Sequence, residues 1–280
     1  MKTKKLASIF AEMLGTFALT AVVISVGKTY GTPIFTAIAA GVTLTVLISM
    51  FGQVSGGHFN PAITLGLLSI KKVALSRALV YVAAQVVGAV LAWKLFEWLS
   101  PDRPITLSTI TEFNYQIFTA EAVGTGIFAM AVAATVYKKL QGGYAAAVAG
   151  MGLFLGSTAM AVVIVGRQIA TGVLNPAIAI GIGNRPQNQG YLSFVLGPVV
   201  GAVVGMILYR LFFAEEPTVK MSLPLAVAAK KVTSVTSVAA KTAPKKVTTK
   251  KRTPCMISKQ VSHFESGNTA KPNYTPIKNS

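Results

Sequence analysis

The sequence predicts an all-α membrane protein in which six transmembrane helices and two re-entrant half-helices form an inverted repeat. Three observations carry that expectation. Of the 280 residues 52% are hydrophobic and only 12% charged, six apolar segments are long enough to cross a bilayer, and short motifs from residues 6–100 recur in the same order in residues 115–213. An ordinary soluble domain carries about a quarter charged residues. The charge deficit and a mean hydropathy of +0.60 therefore point to lipid surroundings before any motif is read.

A bilayer core about 30 Å thick is crossed by roughly 20 apolar residues in a helix. Segments of that size lie near 7–27, 34–54, 77–99, 116–136, 144–165 and 191–212. The first follows MKTKK, as a secretory leader would, but Glu12 interrupts its apolar run and no small-residue cleavage site follows; it reads as a retained span. Six crossings return both termini to one side. Lys2, Lys4, Lys5, Lys71, Lys72, Arg77, Lys138, Lys139 and Arg210 fall on that side, against Lys28, Lys94, Arg103, Arg167 and Arg185 on the other. The excess of positive charge places the termini in the cytoplasm, and the plasma membrane is the expected location.

Two further apolar stretches, near 60–70 and 175–183, are too short to span, and each begins with Asn-Pro-Ala. Non-helical backbone at membrane depth is tolerated only where it is buried in protein or lines a wet cavity, so both stretches are candidates for the lining of a pore. The repeat supports this. AEMLGT at 11–16 matches AEAVGT at 120–125, FNPAI at 59–63 matches LNPAI at 174–178, and VVGAV at 86–90 recurs at 199–203. Each half contains three spans, so the second is inverted relative to the first, and inverted repeats place their functional site at the shared midplane. Glu12 to Asn60 is 48 residues whereas Glu121 to Asn175 is 54, so the second half holds extra residues before its motif.

Asn-Pro-Ala suits the start of a half-helix. Asn60 and Asn175 are favoured N-caps, Pro61 and Pro176 fit the first helical position where no N–H is needed, and Ala62 and Ala177 continue the helix at little cost. Two helix N-termini facing each other at mid-membrane oppose cations through their partial positive charge. The asparagine amides can donate to a passing water oxygen, and a water held by two donors relays protons poorly along a file. The symmetric carboxylates Glu12 and Glu121, inside spans, favour a structural task over proton relay: accepting hydrogen bonds from N–H groups of the half-helix loops. His58 either structures its loop or lines the cytoplasmic vestibule. Gly41, Gly88, Gly124, Gly150, Gly201 and Gly205 read as sites of close helix packing.

SGGHFNPA at 55–62, the paired Asn-Pro-Ala motifs and the two AExxGT helices together resemble the major intrinsic protein (aquaporin and aquaglyceroporin) family over about residues 6–213. The resemblance implies one pore per protomer and a homotetramer. It also implies a narrow constriction with an arginine directly after the second motif, where this sequence has Ile178. The other positions that the resemblance assigns to that constriction are Ala40, Gly172 and, depending on how the extra residues are aligned, Val163 or Ser157. This small, apolar set gives water fewer partners and a larger neutral solute more room. IAIGIG after the second motif also lacks the aspartate of typical glycerol facilitators. Arg167, eight residues before Asn175, lies near the expected pore mouth; it either supplies the charge that Ile178 lacks or faces water as an ordinary loop residue.

Residues 1–213 are therefore expected to form the channel domain and 214–280 a basic, disordered cytoplasmic tail. From Glu215 onward there are twelve Lys/Arg and three Asp/Glu, so half of the net charge of +18 belongs to the tail. Its run AAKTAPKKVTTKKR at 239–252 suits anionic lipid headgroups better than nucleic acid, and a merely solvated tail is the plainer alternative. Cys255 is alone and forms no internal disulfide. The sequence carries no metal cluster, nucleophile–base pair or phosphate loop, so neither an enzyme nor a cofactor is expected. The expected function is a passive channel for water and small uncharged solutes; the rival is a non-conducting membrane scaffold displaying the tail.

Overall fold

The computed structural model describes residues 2–102, 112–164, 172–182 and 190–214, with the side chains of Lys2 and residues 162–164 excepted. All belong to one compact unit, Met1–Val219; the predicted tail beyond Ala214 lies outside the described residues. Eight helices follow in order: α1 (Lys2–Tyr30), α2 (Pro33–Ser55), α3 (Pro61–Ser69), α4 (Leu75–Leu99), α5 (Tyr115–Tyr137), α6 (Gly142–Ile164), α7 (Pro176–Gly181) and α8 (Gly190–Phe212). Six of them are long and apolar enough to span a bilayer; α3 and α7 are the two short pieces. α1 starts five residues before the expected span, since Lys2, Lys4 and Lys5 are good helix formers. α7 is shorter than expected and ends at Gly181, with the N–H of Ile182 donating to Ile178 O at 2.9 Å.

The local reasons for these boundaries are visible. α2 begins with Pro33 at its first position and ends on Gly56, whose φ of 102° is available to glycine at little cost. Asn114 caps α5, its side-chain oxygen accepting from the N–H groups of Gln116 and Ile117. α8 carries Pro198 in its interior, at the position the VVGAV alignment equates with Gln85 of α4.

Packing obeys the repeat. α1 lies against α2 and α4, α5 against α6 and α8, and each half-helix crosses to the other half, α3 onto α8 and α7 onto α4. Glycines permit these approaches at equivalent positions. A Cβ on Gly66 of α3 would meet Met206 Sδ of α8 at 2.9 Å, and one on Gly181 of α7 would meet Ala89 O of α4 at 2.7 Å. Gly88 sits on the backbone of Met13 and Gly201 on that of Ala122, while Gly41 and Gly150 face each other where α2 crosses α6. Without a hydrophobic drive between helices in lipid, such close backbone contact supplies much of the association energy.

These contacts set a test. Gly88→Val and Gly201→Val push Cβ into backbone, which cannot yield as a side-chain end would, and each should cost about 1–3 kcal/mol or more. Gly143→Ala, where nothing lies within 4 Å of the added carbon, should be tolerated. Thermal unfolding in detergent, followed by size-exclusion chromatography, reads the difference; equal behaviour of all three variants would contradict the packing described.

Candidate pore

Asn60 and Asn175 cap α3 and α7, and they also tie the two half-helices together. Asn60 Oδ1 accepts from the Ala62 N–H at 2.8 Å and its Nδ2 donates to Leu174 O at 2.8 Å. Asn175 Oδ1 accepts from the Ala177 N–H at 3.0 Å and its Nδ2 donates to Phe59 O at 2.9 Å. Each cap thus donates to the carbonyl of the residue that precedes the other cap. To present those carbonyls, Phe59 and Leu174 adopt φ of 46° and 51°, a left-handed conformation that is unusual for large side chains. Strain of this kind persists only where surrounding bonds over-determine the backbone.

The surrounding bonds come from the buried carboxylates. Glu121 accepts from the N–H groups of Gly172 (2.9 Å), Val173 (3.1 Å) and Leu174 (2.7 Å). Glu12 accepts from the N–H groups of His58 (3.0 Å) and Phe59 (2.7 Å), and from Ser55 Oγ (2.6 Å) and Gln85 Nε2 (2.8 Å). Lipid offers these amides no partner at this depth, so they must be satisfied within the protein or from the cavity. The first half adds a polar network. Gln85 Nε2 also donates to Thr64 Oγ1 at 3.0 Å, Thr64 Oγ1 donates to Asn60 O at 3.0 Å, and His58 Nδ1 lies 3.1 Å from Thr64 Oγ1. Tyr81 donates to Ser55 O at 2.8 Å. The repeat equivalents in the second half are Pro198 for Gln85, Ala179 for Thr64 and Val173 for His58, so among the described residues its support is the backbone-to-carboxylate bonds and the bond from Ser157 to Gly172 O.

Two cavities meet at this centre. The outer one, about 300 Å³, is lined by both capping asparagines and by Ala40, Ser157, Gly172 and Ile178; Lys28 and Thr32 stand at its mouth. The inner one, about 660 Å³, reaches Lys72 and Lys139, and His58 lines both. Of the two alternatives for the helix position in the constriction, Ser157 faces the cavity and donates to Gly172 O at 2.9 Å. The side chain of Val163 lies outside the described residues, as does Arg167. Sequence reasoning missed Ser55, Thr64, Tyr81 and Gln85 as supports, and Leu44 and Phe128 as cavity walls. Gln85 was the findable one, since an amide inside an apolar span has to be paired. Leu44 and Phe128 look like any other apolar helix residue.

Fold and site define a multi-pass membrane protein built from inverted repeats, with a passage whose middle is set by two helix caps. The model of the family described as Major intrinsic protein matches residues 1–209, and the chain belongs to that family. Similar proteins include Nodulin-26 of Glycine max, 31% identical over 65% of this chain and 66% of that protein, and Aquaporin-5 of Mus musculus, 32% identical over 61% of this chain and 66% of its own length. The chain thus spans just under two thirds of these two relatives. Glycerol uptake facilitator protein-like 6 of Lactiplantibacillus plantarum is 30% identical over 74% of this chain and 98% of its own length. Among solved structures, the aquaglyceroporin of Plasmodium falciparum shares the fold, with a TM-score of 0.59 at 21% identity, covering 73% of this chain and 95% of that one.

The carboxylate cages predict a graded loss of stability. Glu121→Ala orphans the buried N–H of Leu174, at about 1–3 kcal/mol, and the part-buried N–H groups of Gly172 and Val173, and should unfold well below the parent protein in detergent. Glu121→Gln keeps one acceptor oxygen and should fall between the two. Thermal unfolding midpoints that put Glu121→Ala level with the parent would refute the caging role.

Proposed function

We propose that this protein is a passive membrane channel, not an enzyme, which passes water and small uncharged solutes and excludes ions and protons. The observation that carries this reading is the paired caps in one cavity wall. Each asparagine amide has two N–H groups; one is committed to the carbonyl beside the opposite cap, and the second remains for a molecule in the cavity. Two donors backed by two helix N-termini suit a neutral molecule that offers lone pairs, and they oppose a cation. The names of relatives, among them aquaporins and a glycerol uptake facilitator protein, agree with water and polyol-like solutes. Ala40, Ser157, Gly172 and Ile178 around the outer cavity favour solutes larger than water.

Cytoplasmic termini, residence in the plasma membrane and assembly as a homotetramer complete the proposal, supported by the side bias of Lys and Arg and by the lipid-type apolar faces of the six spans. The tail, which lies outside the described residues, is proposed to add neither a span nor a pore residue. Its basic run fits anionic lipid headgroups.

Stopped-flow light scattering on proteoliposomes, under water, glycerol and urea gradients, tests the reading. The parent protein should shrink and reswell vesicles faster than lipid alone. Asn60→Asp and Asn175→Asp retain the capping oxygen but lose the amide donor to the opposite carbonyl, so they should be less stable than the parent and, where they still reconstitute as it does, leak cations and protons several-fold more. Unchanged flux and ion exclusion in both variants would sink the central mechanism. Truncation after Glu216 should leave solute rates within the error of the full chain; lost assembly would show that the tail belongs to the channel.

A further inference from the structure

The outer cavity is continuous past the residues that the family resemblance assigns to the selective constriction. Ala40, Ser157, Gly172 and Ile178 line the same space as Thr32 at its mouth and the capping asparagines at its floor. The passage divides further in: the two cavities have only Leu44, His58 and Phe128 in common. These three side chains come from α2, from the loop before α3 and from α5, and they are buried to 1%, 7% and 2% exposure. We propose that Leu44, His58 and Phe128 form the size- and polarity-selecting constriction of this channel, on the cytoplasmic side of the asparagine pair. The proposal rests on the channel reading above and assigns its selectivity to residues outside the outer set.

The ring is held in place from behind. Thr64 Oγ1 lies 3.0 Å from Asn60 O and can give its one hydroxyl proton there; in that arrangement the 3.1 Å contact with His58 is one in which Nδ1–H donates and Nε2 is left as an acceptor. Nε2 lies 3.1 Å from where a side chain on Gly56 would begin, at the wall of the inner cavity. The imidazole packs edge-on to Tyr81 with centroids 5.4 Å apart. It cannot turn away without breaking the Thr64 contact, and Thr64 is held through Gln85 to Glu12. Among the described residues the outer set is tied at Gly172, by the bond from Ser157 and the N–H donated to Glu121, and no side-chain network extends from there to Ala40 or Ile178. Two hydrocarbon walls and one ring-nitrogen acceptor fit a neutral solute with C–H on one side and a hydrogen-bond donor on the other, such as a short linear polyol.

The test uses proteoliposomes of the full chain and initial uptake rates for glycerol, erythritol, ribitol and urea. Leu44→Val and Phe128→Leu keep buried hydrocarbon, so they should stay monodisperse while raising the erythritol-to-glycerol and ribitol-to-glycerol ratios several-fold. His58→Leu, which removes the acceptor, should lower the glycerol rate relative to water. Unchanged ratios in all three variants overturn the proposal, as does a rise of the same size in Ile178→Ala, which would return the constriction to the outer set. Parent vesicles no faster than protein-free ones would instead overturn the channel reading itself, so the two failures are separable.

Discussion

Everything in this fold depends on finding partners for backbone amides that stop half-way across a bilayer. A half-helix needs a loop to reach its start, and that loop brings bare N–H and C=O groups to a depth where water is scarce. Glu12 and Glu121 take up the N–H groups, and the asparagine side chains take up the carbonyls of Phe59 and Leu174. The two solutions are interdependent. The left-handed φ of Phe59 and Leu174 turns each N–H to its carboxylate and each carbonyl to the opposite asparagine. The caps of the two halves therefore fix one another, and the position of the pore centre follows from bonds that cross the repeat.

The halves solve the same problem with different margins. In the first, Glu12 has two backbone and two side-chain donors, and Gln85, Thr64, Ser55 and Tyr81 extend the network. In the second, Glu121 has three backbone donors, with Pro198 and Ala179 where the first half has Gln85 and Thr64. Buried polar networks rigidify when fully satisfied. The first half is nearly so; Gln85 Oε1 is left without a partner. The side of the centre that faces Lys72 and Lys139 is accordingly the more heavily braced one, and the other side adds to the Glu121 bonds mainly packing, with Gly124 against Leu174 and Gly172 against Ser157.

Much of this was legible in the sequence because membrane constraints are severe. The six spans, the two short helices and the pairing of halves follow from length, hydropathy and three repeated motifs. Expected and observed boundaries differ most where composition is permissive: the lysines before the first span extend α1 to Lys2, and α7 stops at Gly181. The paired Asn-Pro-Ala motifs and the equivalent glutamates marked the centre because polar groups inside apolar runs stand out. The apolar walls did not. Leu44 differs from Leu47 only in the direction it faces, and direction depends on helix rotation, which hydrophobicity all round a span does not encode. The extra residues before the second motif leave Ser157 and Val163 as alternatives in the sequence; Ser157 lines the cavity, and the side chain of Val163 lies outside the described residues.

Ile178 stands directly after the second Asn-Pro-Ala, where the resemblance implies arginine, and this raises the question of what would oppose cations in such a passage. Charged side chains among the described walls are confined to the two ends: Lys28 at the outer mouth, Lys72 and Lys139 at the inner one. All three are cationic, and no described carboxylate lines either cavity. Lys72 is held there by its ammonium lying 4.7 Å from the centre of the Tyr137 ring. At the mouths these charges are screened by salt over about 8–10 Å, so they bias entry without deciding passage. The middle is where the dielectric is low and screening absent, and there the fixed field comes from the starts of α3 and α7, each equivalent to at most about half a positive charge. A fixed arginine adds a full charge but also narrows the bore. On the channel reading proposed above, a barrier in the helix ends would keep a field against cations while leaving the outer cavity wide, the combination that a neutral solute larger than water requires.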